Sequence, residues 1–94
     1  MKNKIIKITE LLKELSNLIG KQNPSAGVAI RSNAEHLFLD CNLNNIDILK
    51  ELSYNIELAN YCTSLVETNS EMKELLDKIT TLEDNINSNK TDLW

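Results

Sequence analysis

Residues 45–87, NIDILKELSYNIELANYCTSLVETNSEMKELLDKITTLEDNIN, decide the fold that this sequence predicts. From Leu58 onward, apolar residues recur at alternating steps of four and three, provided that two polar residues, Asn69 and Glu83, each occupy a position of the repeat. The other members are Leu58, Cys62, Leu65, Met72, Leu76, Ile79 and Ile86. An average spacing of 3.5 residues is typical of a helix that packs lengthwise on a second helix. The stretch therefore predicts one long helix with a coiled-coil-like seam.

The first part of the same stretch follows a different phase. Its apolar stripe comprises Ile48, Leu49, Leu52, Ile56 and Ala59, and Asn44 or Asn45 is a suitable N-cap for a helix beginning near residue 45. A phase change near Leu58 indicates that two different partners flank the helix. A helix over residues 45–87 would be roughly 60 Å long, and the remaining segments roughly 25 Å each as helices. We therefore expect the first half to pack on its own chain and the second half on another molecule.

The N-terminal segment predicts an amphipathic helix over residues 3–19. Its apolar residues step by three and four, and charged residues occupy the opposite face. The stripe consists of Ile5, Ile8, Leu12, Leu15 and Ile19. Gly20 is the expected stop just after the helix, and Pro24 prevents its continuation.

Residues 25–41 fit two interpretations. As a helix, the segment has Ser25 as its N-cap and a stripe of Ala26, Ile30, Ala34, Leu37 and Cys41. As a β-hairpin over residues 26–41, it has apolar residues that alternate on either side of a polar turn at residues 32–35. We favour the helix. The prediction is an all-α single domain over residues 1–94, with helices at about 3–19, 25–41 and 45–87 and a flexible tail at 88–94; the alternative is an α+β fold with a single hairpin.

Composition restricts the function classes. The chain has 94 residues and a formal charge of −4, and its only two cysteines, Cys41 and Cys62, lie within apolar patterns. A core this small is marginal alone, which favours a homo-oligomer. An acidic chain is a poor nucleic-acid binder, and no apolar run is long enough to span a membrane. The N-terminus begins like a signal peptide, but Lys7, Glu10, Lys13 and Glu14 interrupt its apolar run, so we expect no export. This and the apolar setting of both cysteines predict reduced thiols in the cytoplasm. The Asn-rich, Lys-over-Arg composition suggests a bacterium or a phage.

No residue set predicts catalysis, a metal site or a cofactor. A cysteine nucleophile needs a base, and His36 is the only histidine. Buried apolar thiols are therefore the better interpretation of the two cysteines. No Cys or His cluster has the spacing of metal ligands, and there is no Gly-rich phosphate loop.

Two small features allow a functional and a structural interpretation. Asn69 in the seam fits a buried Asn that sets coiled-coil register; alternatively this face is solvated and the helix bends there. Arg31, the only arginine, could bind a small anion together with Lys21 and His36, especially where several subunits meet. The alternative is a solvated Arg31 that pairs with Glu35 or Asp40.

These features predict a non-catalytic interaction protein, a helical homo-oligomer that binds or blocks a partner protein, as bacterial or phage regulators and antagonists do. The alternative function is an oligomer that sequesters a small anionic ligand such as a nucleotide signal.

Overall fold

The computed structural model describes residues 1–43 and 47–88, and this part of the chain folds into four helices of similar length. They are α1 (Lys2–Gly20), α2 (Pro24–Asn42), α3 (Ile48–Thr63) and α4 (Ser70–Ser88). The all-α prediction is confirmed. The expected helix start near residue 45 and most of the tail at 88–94 lie outside the described residues.

Helix α1 matches its predicted position and face. All five residues of its apolar stripe are completely buried. Gly20, however, is the last residue of the helix and not the stop beyond it. The close packing here depends on Gly27 of α2, because a Cβ placed on Gly27 would lie only 2.7 Å from the Cα of Gly20. Gly27 thus allows the backbones of α1 and α2 to approach closely, which a side chain at that position would prevent.

The hairpin alternative for residues 26–41 is wrong, because the whole segment belongs to α2 and the described residues contain no strand. The N-cap is Asn23, not Ser25: the Asn23 side-chain oxygen accepts a hydrogen bond of 3.2 Å from the backbone N–H of Ala26. Pro24 then occupies the first helical position, where its missing N–H costs nothing.

The prediction of one uninterrupted helix over residues 45–87 is also wrong. Helix α3 ends at Thr63, and residues 64–69 form an irregular connection before α4 begins at Ser70. The connection starts with tightened turns, in which the N–H of Leu65 bonds the carbonyl of Cys62 at 3.1 Å. The long dimension of the protein is 39 Å, well below the roughly 60 Å of the predicted helix.

Two polar side chains stabilise this break. Asn69 caps α4, because its side-chain oxygen accepts a hydrogen bond of 2.9 Å from the N–H of Met72. Gln22, in the connection between α1 and α2, hydrogen-bonds both the carbonyl and the N–H of Glu67, each at 2.9 Å. The two connections are therefore fastened to each other at the same end of the bundle.

Because the chain turns at this break, α4 packs back on α1 while α2 packs between α1 and α3. Buried residues from all four helices form a single apolar core. A helix that returns to its own chain covers apolar residues that a continuous helix would have left exposed. This is why the chain needs no second molecule to bury the apolar face of α4.

Candidate partner-binding surface

The residues of the predicted seam are distributed between the core and the surface. Cys62, Met72, Ile79 and Ile86 are buried in the core of the chain itself, and Leu58 and Leu76 are half-buried against it. Asn69 is exposed and serves as the α4 cap. Only Leu65 remains as a large exposed apolar residue of the seam. Hence the α4 part of the seam is covered by the chain's own core, and of the seam residues before α4 the large apolar side chain left exposed is Leu65.

Leu58 and Leu65 belong to an apolar stripe on the outer side of α3 and the turn that follows it. The stripe consists of Tyr54, Leu58, Tyr61 and Leu65, at steps of four, three and four. The exposed fractions are 54% for Tyr54, 63% for Tyr61 and 49% for Leu65. At about 100° per residue, Tyr54, Leu58 and Tyr61 fall on one side of α3, and Leu65 follows them in the turn beyond the helix. We call them the α3 stripe.

The α3 stripe is separate from the core-facing side of the same helix. The core of α3 is supplied by Leu52, Ile56 and Ala59, all buried. Helix α3 is therefore apolar on two faces, of which the fold covers one. Surface helices of isolated domains usually carry charged residues on the uncovered face. A contiguous exposed apolar surface of this kind marks an interaction site more often than a single exposed side chain does.

The edge of the stripe that faces α2 is acidic. Asp40 of α2 and Glu51 of α3 are hydrogen-bonded through their carboxyl groups. Burial, this hydrogen bond and the Asp40 charge raise the pKa of Glu51 to about 7. The pair lines a shallow groove of about 390 Å³ together with Asp47, Lys50 and Tyr54. The groove thus connects the acidic pair directly to the first residue of the stripe.

The opposite edge, which faces α4, is acidic as well. Glu57, one helical turn from both Tyr54 and Tyr61, interacts electrostatically with Glu83 of α4. Burial, together with the charges of Asp84 and Glu57, raises the pKa of Glu83. Carboxylates therefore border the α3 stripe on both sides.

The residues proposed for anion binding do not form a common pocket. Arg31 lines a groove of about 310 Å³ between α1 and α2, where its guanidinium donates a hydrogen bond to the side-chain oxygen of Asn17. Neither Lys21 nor His36 lines this groove, whereas Glu35 does. Arg31 and His36 are five residues apart on α2, which places them about 140° apart around the helix. Arg31 bonds Asn17 rather than forming an ion pair with Glu35 or Asp40.

Both cysteines are free and buried. Burial raises the pKa of each thiol, and for Cys41 it outweighs the opposing charges of Lys2 and the N-terminus. Thiols with a raised pKa are poor nucleophiles, because the thiolate is the reactive form. Across residues 1–43 and 47–88, no group of three His, Cys, Asp or Glu residues is placed to hold a metal ion.

Sequence reasoning missed Tyr54 and Tyr61. Both tyrosines lie at steps of four and three from Leu58 and Leu65, which is a recognisable apolar repeat. The competing repeat through Cys62 and Asn69 predicts a continuous seam instead, and it does not include the tyrosines. Comparison with protein-family models, with curated proteins and with solved structures finds no match to this chain. In the described part of the chain, no helix combines the length and the apolar character that crossing a membrane requires.

Proposed function

We propose that this chain is a non-catalytic interaction protein that binds a partner protein through the α3 stripe. One observation supports this most directly: three of the four residues of the stripe are about half exposed or more, although the fold has a complete core without them. The proposed mechanism is steric: this chain covers the segment of the partner that it binds and so prevents that segment from making other contacts. Small bacterial or phage regulators and antagonists act in this manner.

The chemistry of the stripe suits this role. Tyrosine offers a large, rigid contact area and a hydroxyl, and only two torsion angles are ordered when it binds. Tyr is also enriched among the residues that contribute most to binding, whereas scattered surface residues contribute little. Two tyrosines alternate here with two leucines along the outer side of α3 and the turn that follows it. Covering them removes apolar surface from water at roughly 25 cal/mol per Å².

The homo-oligomer expected from the sequence is restricted by the fold. Because Met72, Ile79 and Ile86 are already buried, self-association through the long seam would require α4 to leave α1. A second copy could use the α3 stripe without any such rearrangement. We also propose a cytoplasmic location, supported by the two free, buried thiols.

Binding of a small anionic ligand has less support. The groove that contains Arg31 also contains the carboxylate of Glu35, and the other two basic residues lie outside it. A carboxylate beside the binding cation offsets part of its attraction for an anion.

Affinity capture from the native host tests the proposed function. We expect the wild-type chain and the control variant Val28→Ser, altered at an exposed position of α2, to retain the same partner. The double variant Tyr61→Ser/Leu65→Ser should lose it. The captured protein is then purified and titrated calorimetrically against all three chains. Equal binding by the double variant would refute the role of the stripe, and circular dichroism verifies that each variant remains helical.

A further inference from the structure

We infer that the occupant of the α3 stripe is a basic amphipathic helix of another protein. This inference rests on the proposed function and makes it more specific. It combines three observations: the spacing of the apolar residues, the acidic residues along both edges, and the charge mismatch with the described surface of a second copy of the chain.

The spacing favours a helix over an extended peptide. Steps of four, three and four repeat every 3.5 residues, which matches the apolar stripe of a helix lying lengthwise on α3. From Tyr54 to Tyr61 the stripe extends about 10 Å, two turns of a helix, and Leu65 continues it in the turn beyond α3. An extended peptide gains affinity chiefly by adding to a sheet edge, and the described residues contain no strand. A partner helix of about 12 to 18 residues would cover the stripe.

The charges favour a basic partner. On one edge, Asp40 and Glu51 share a hydrogen bond between carboxyl groups; on the other, Glu57 faces Glu83. Lys50 is the one cation that lines the acidic groove beside Tyr54. The ion pairs Lys7–Glu10 and Lys78–Glu74 lie on α1 and α4, away from Glu51 and Glu57. Lys or Arg side chains on both flanks of a partner helix would pair with these carboxylates and relieve their mutual repulsion.

Within the residues that the structure describes, the charges of a second copy do not complement this surface. Residues 24–67 hold six carboxylates against only Arg31 and Lys50, so joining two of these faces brings like charges together. The basic segment of the chain is residues 1–23, with five lysines and two glutamates. The apolar stripe of that segment is completely buried in the core. Lys7 and Leu11 of α1 do line an apolar groove with α4, but Glu74 and Asp77 line it as well, so its charge is mixed and does not complement the acidic edges of the α3 stripe. We therefore expect the complementary helix to come from another protein.

The test uses the full chain and two synthetic 18-residue peptides that share one Leu/Ile stripe. The basic peptide carries Lys and Arg on both flanks, and the acidic peptide carries Glu at the same positions. Calorimetric titration at 50 mM salt should give a Kd for the basic peptide at least about tenfold lower than for the acidic one. The ratio should shrink at 500 mM salt, because exposed charges are screened.

Charge reversal on the protein locates the effect. The double variant Glu51→Lys/Glu57→Lys should reverse the preference between the two peptides. The matched control, Glu10→Lys/Glu14→Lys, makes the same change in net charge on the exposed side of α1 and should leave the preference in place. Tyr61→Ser/Leu65→Ser should weaken the binding of both peptides. Preservation of the preference in the Glu51/Glu57 variant, or its reversal in the control, would overturn the inference.

The remaining outcomes separate the inference from the proposed function. Equal binding of both peptides that is lost in Tyr61→Ser/Leu65→Ser overturns the basic partner and supports the stripe as an interaction surface. A solution mass of two chains that returns to one in that variant makes a second copy the occupant and also overturns the inference. If a monomeric chain binds neither peptide, the inference of a basic helical partner is overturned. The proposed function is not, because it is tested separately by affinity capture from the host.

Discussion

Helices α1 and α3 carry apolar stripes of the same spacing, but the first is buried and most of the second is exposed. The α1 stripe of Ile5, Ile8, Leu12, Leu15 and Ile19 is completely buried, whereas the α3 stripe lies on the surface beside a helix face that already fills the core. The contrast shows that apolar periodicity marks a face as suited to helix packing but does not identify the packing partner. In α1 the partner is the chain itself. In the α3 stripe, Leu58 packs partly against the core, whereas Tyr54, Tyr61 and Leu65 remain about half exposed or more.

The largest predicted effect tests this contrast directly. Leu12→Ala in the α1 stripe should lower the free energy of unfolding by about 2–5 kcal/mol, because it leaves a cavity in a completely buried site. Leu65→Ala in the α3 stripe should change it by about 0.5 kcal/mol, because the side chain is half exposed. Urea denaturation followed by circular dichroism measures both. Similar losses for the two variants would mean that the α3 stripe is part of the core.

A second prediction concerns how closely α1 is held. Gly27→Ala should destabilise the fold by about 1–3 kcal/mol, since the added Cβ would lie 2.7 Å from the Cα of Gly20 and 2.8 Å from the carbonyl oxygen of Ser16. Gly20→Ala is the matched control, because its Cβ meets only ordinary contact at 3.8 Å. It should be neutral, or stabilising by up to about 1 kcal/mol through helix propensity. Thermal unfolding of the two variants measures the difference. Equal effects of Gly27→Ala and Gly20→Ala would contradict the close approach of the α1 and α2 backbones at Gly27.

The break between α3 and α4 gives a smaller effect. Asn69→Ala should cost about 1 kcal/mol, because the α4 N-terminus loses its cap. Asn69→Leu should cost at least as much, whereas in a continuous coiled-coil seam an apolar replacement would be stabilising. Asn87→Ala, at an exposed position late in α4, is the control. Urea denaturation measures these changes in the free energy of unfolding. An Asn69→Leu variant more stable than wild type would contradict the break and support a continuous seam.

The smallest effect concerns the acidic edge of the α3 stripe. The pKa of Glu51 in the folded chain is about 7, above its ordinary value of 4.5. Its contribution to stability is therefore fully present below pH 4.5 and is lost as the pH rises through 7. Glu51→Gln should remove this loss, so that the variant gains thermal stability relative to wild type at pH 8 and not at pH 4. Glu14→Gln, on the exposed side of α1, should not show the same change with pH.

Some of the fold could be predicted because local chemistry decides it. The five buried residues of α1 and the stop imposed by Pro24 were readable from spacing and backbone restriction. The break at residues 64–69 was not, since neither a glycine nor a proline marks it. It depends on a side chain 45 residues away, because Gln22 bonds the backbone of Glu67. Steps of four and three ran across the break because α3 and α4 each direct such a face to the core.

The candidate site divides in the same way. Leu58 and Leu65 were predicted as interface residues from spacing alone, whereas Tyr54 and Tyr61 emerged only when the core was seen to be complete without them. The acidic edges join residues of different helices, Asp40 with Glu51 and Glu57 with Glu83, which no local pattern predicts.

The amino-acid sequence alone determines that this chain is helical, which face of α1 is apolar, and that α1 cannot continue through Pro24. These properties arise from side-chain periodicity and backbone chemistry within a few residues. The return of α4 onto α1 decided which apolar faces remain exposed. That outcome depends on contacts between residues far apart in the chain, because an apolar face gains the same free energy of burial from its own chain as from another protein.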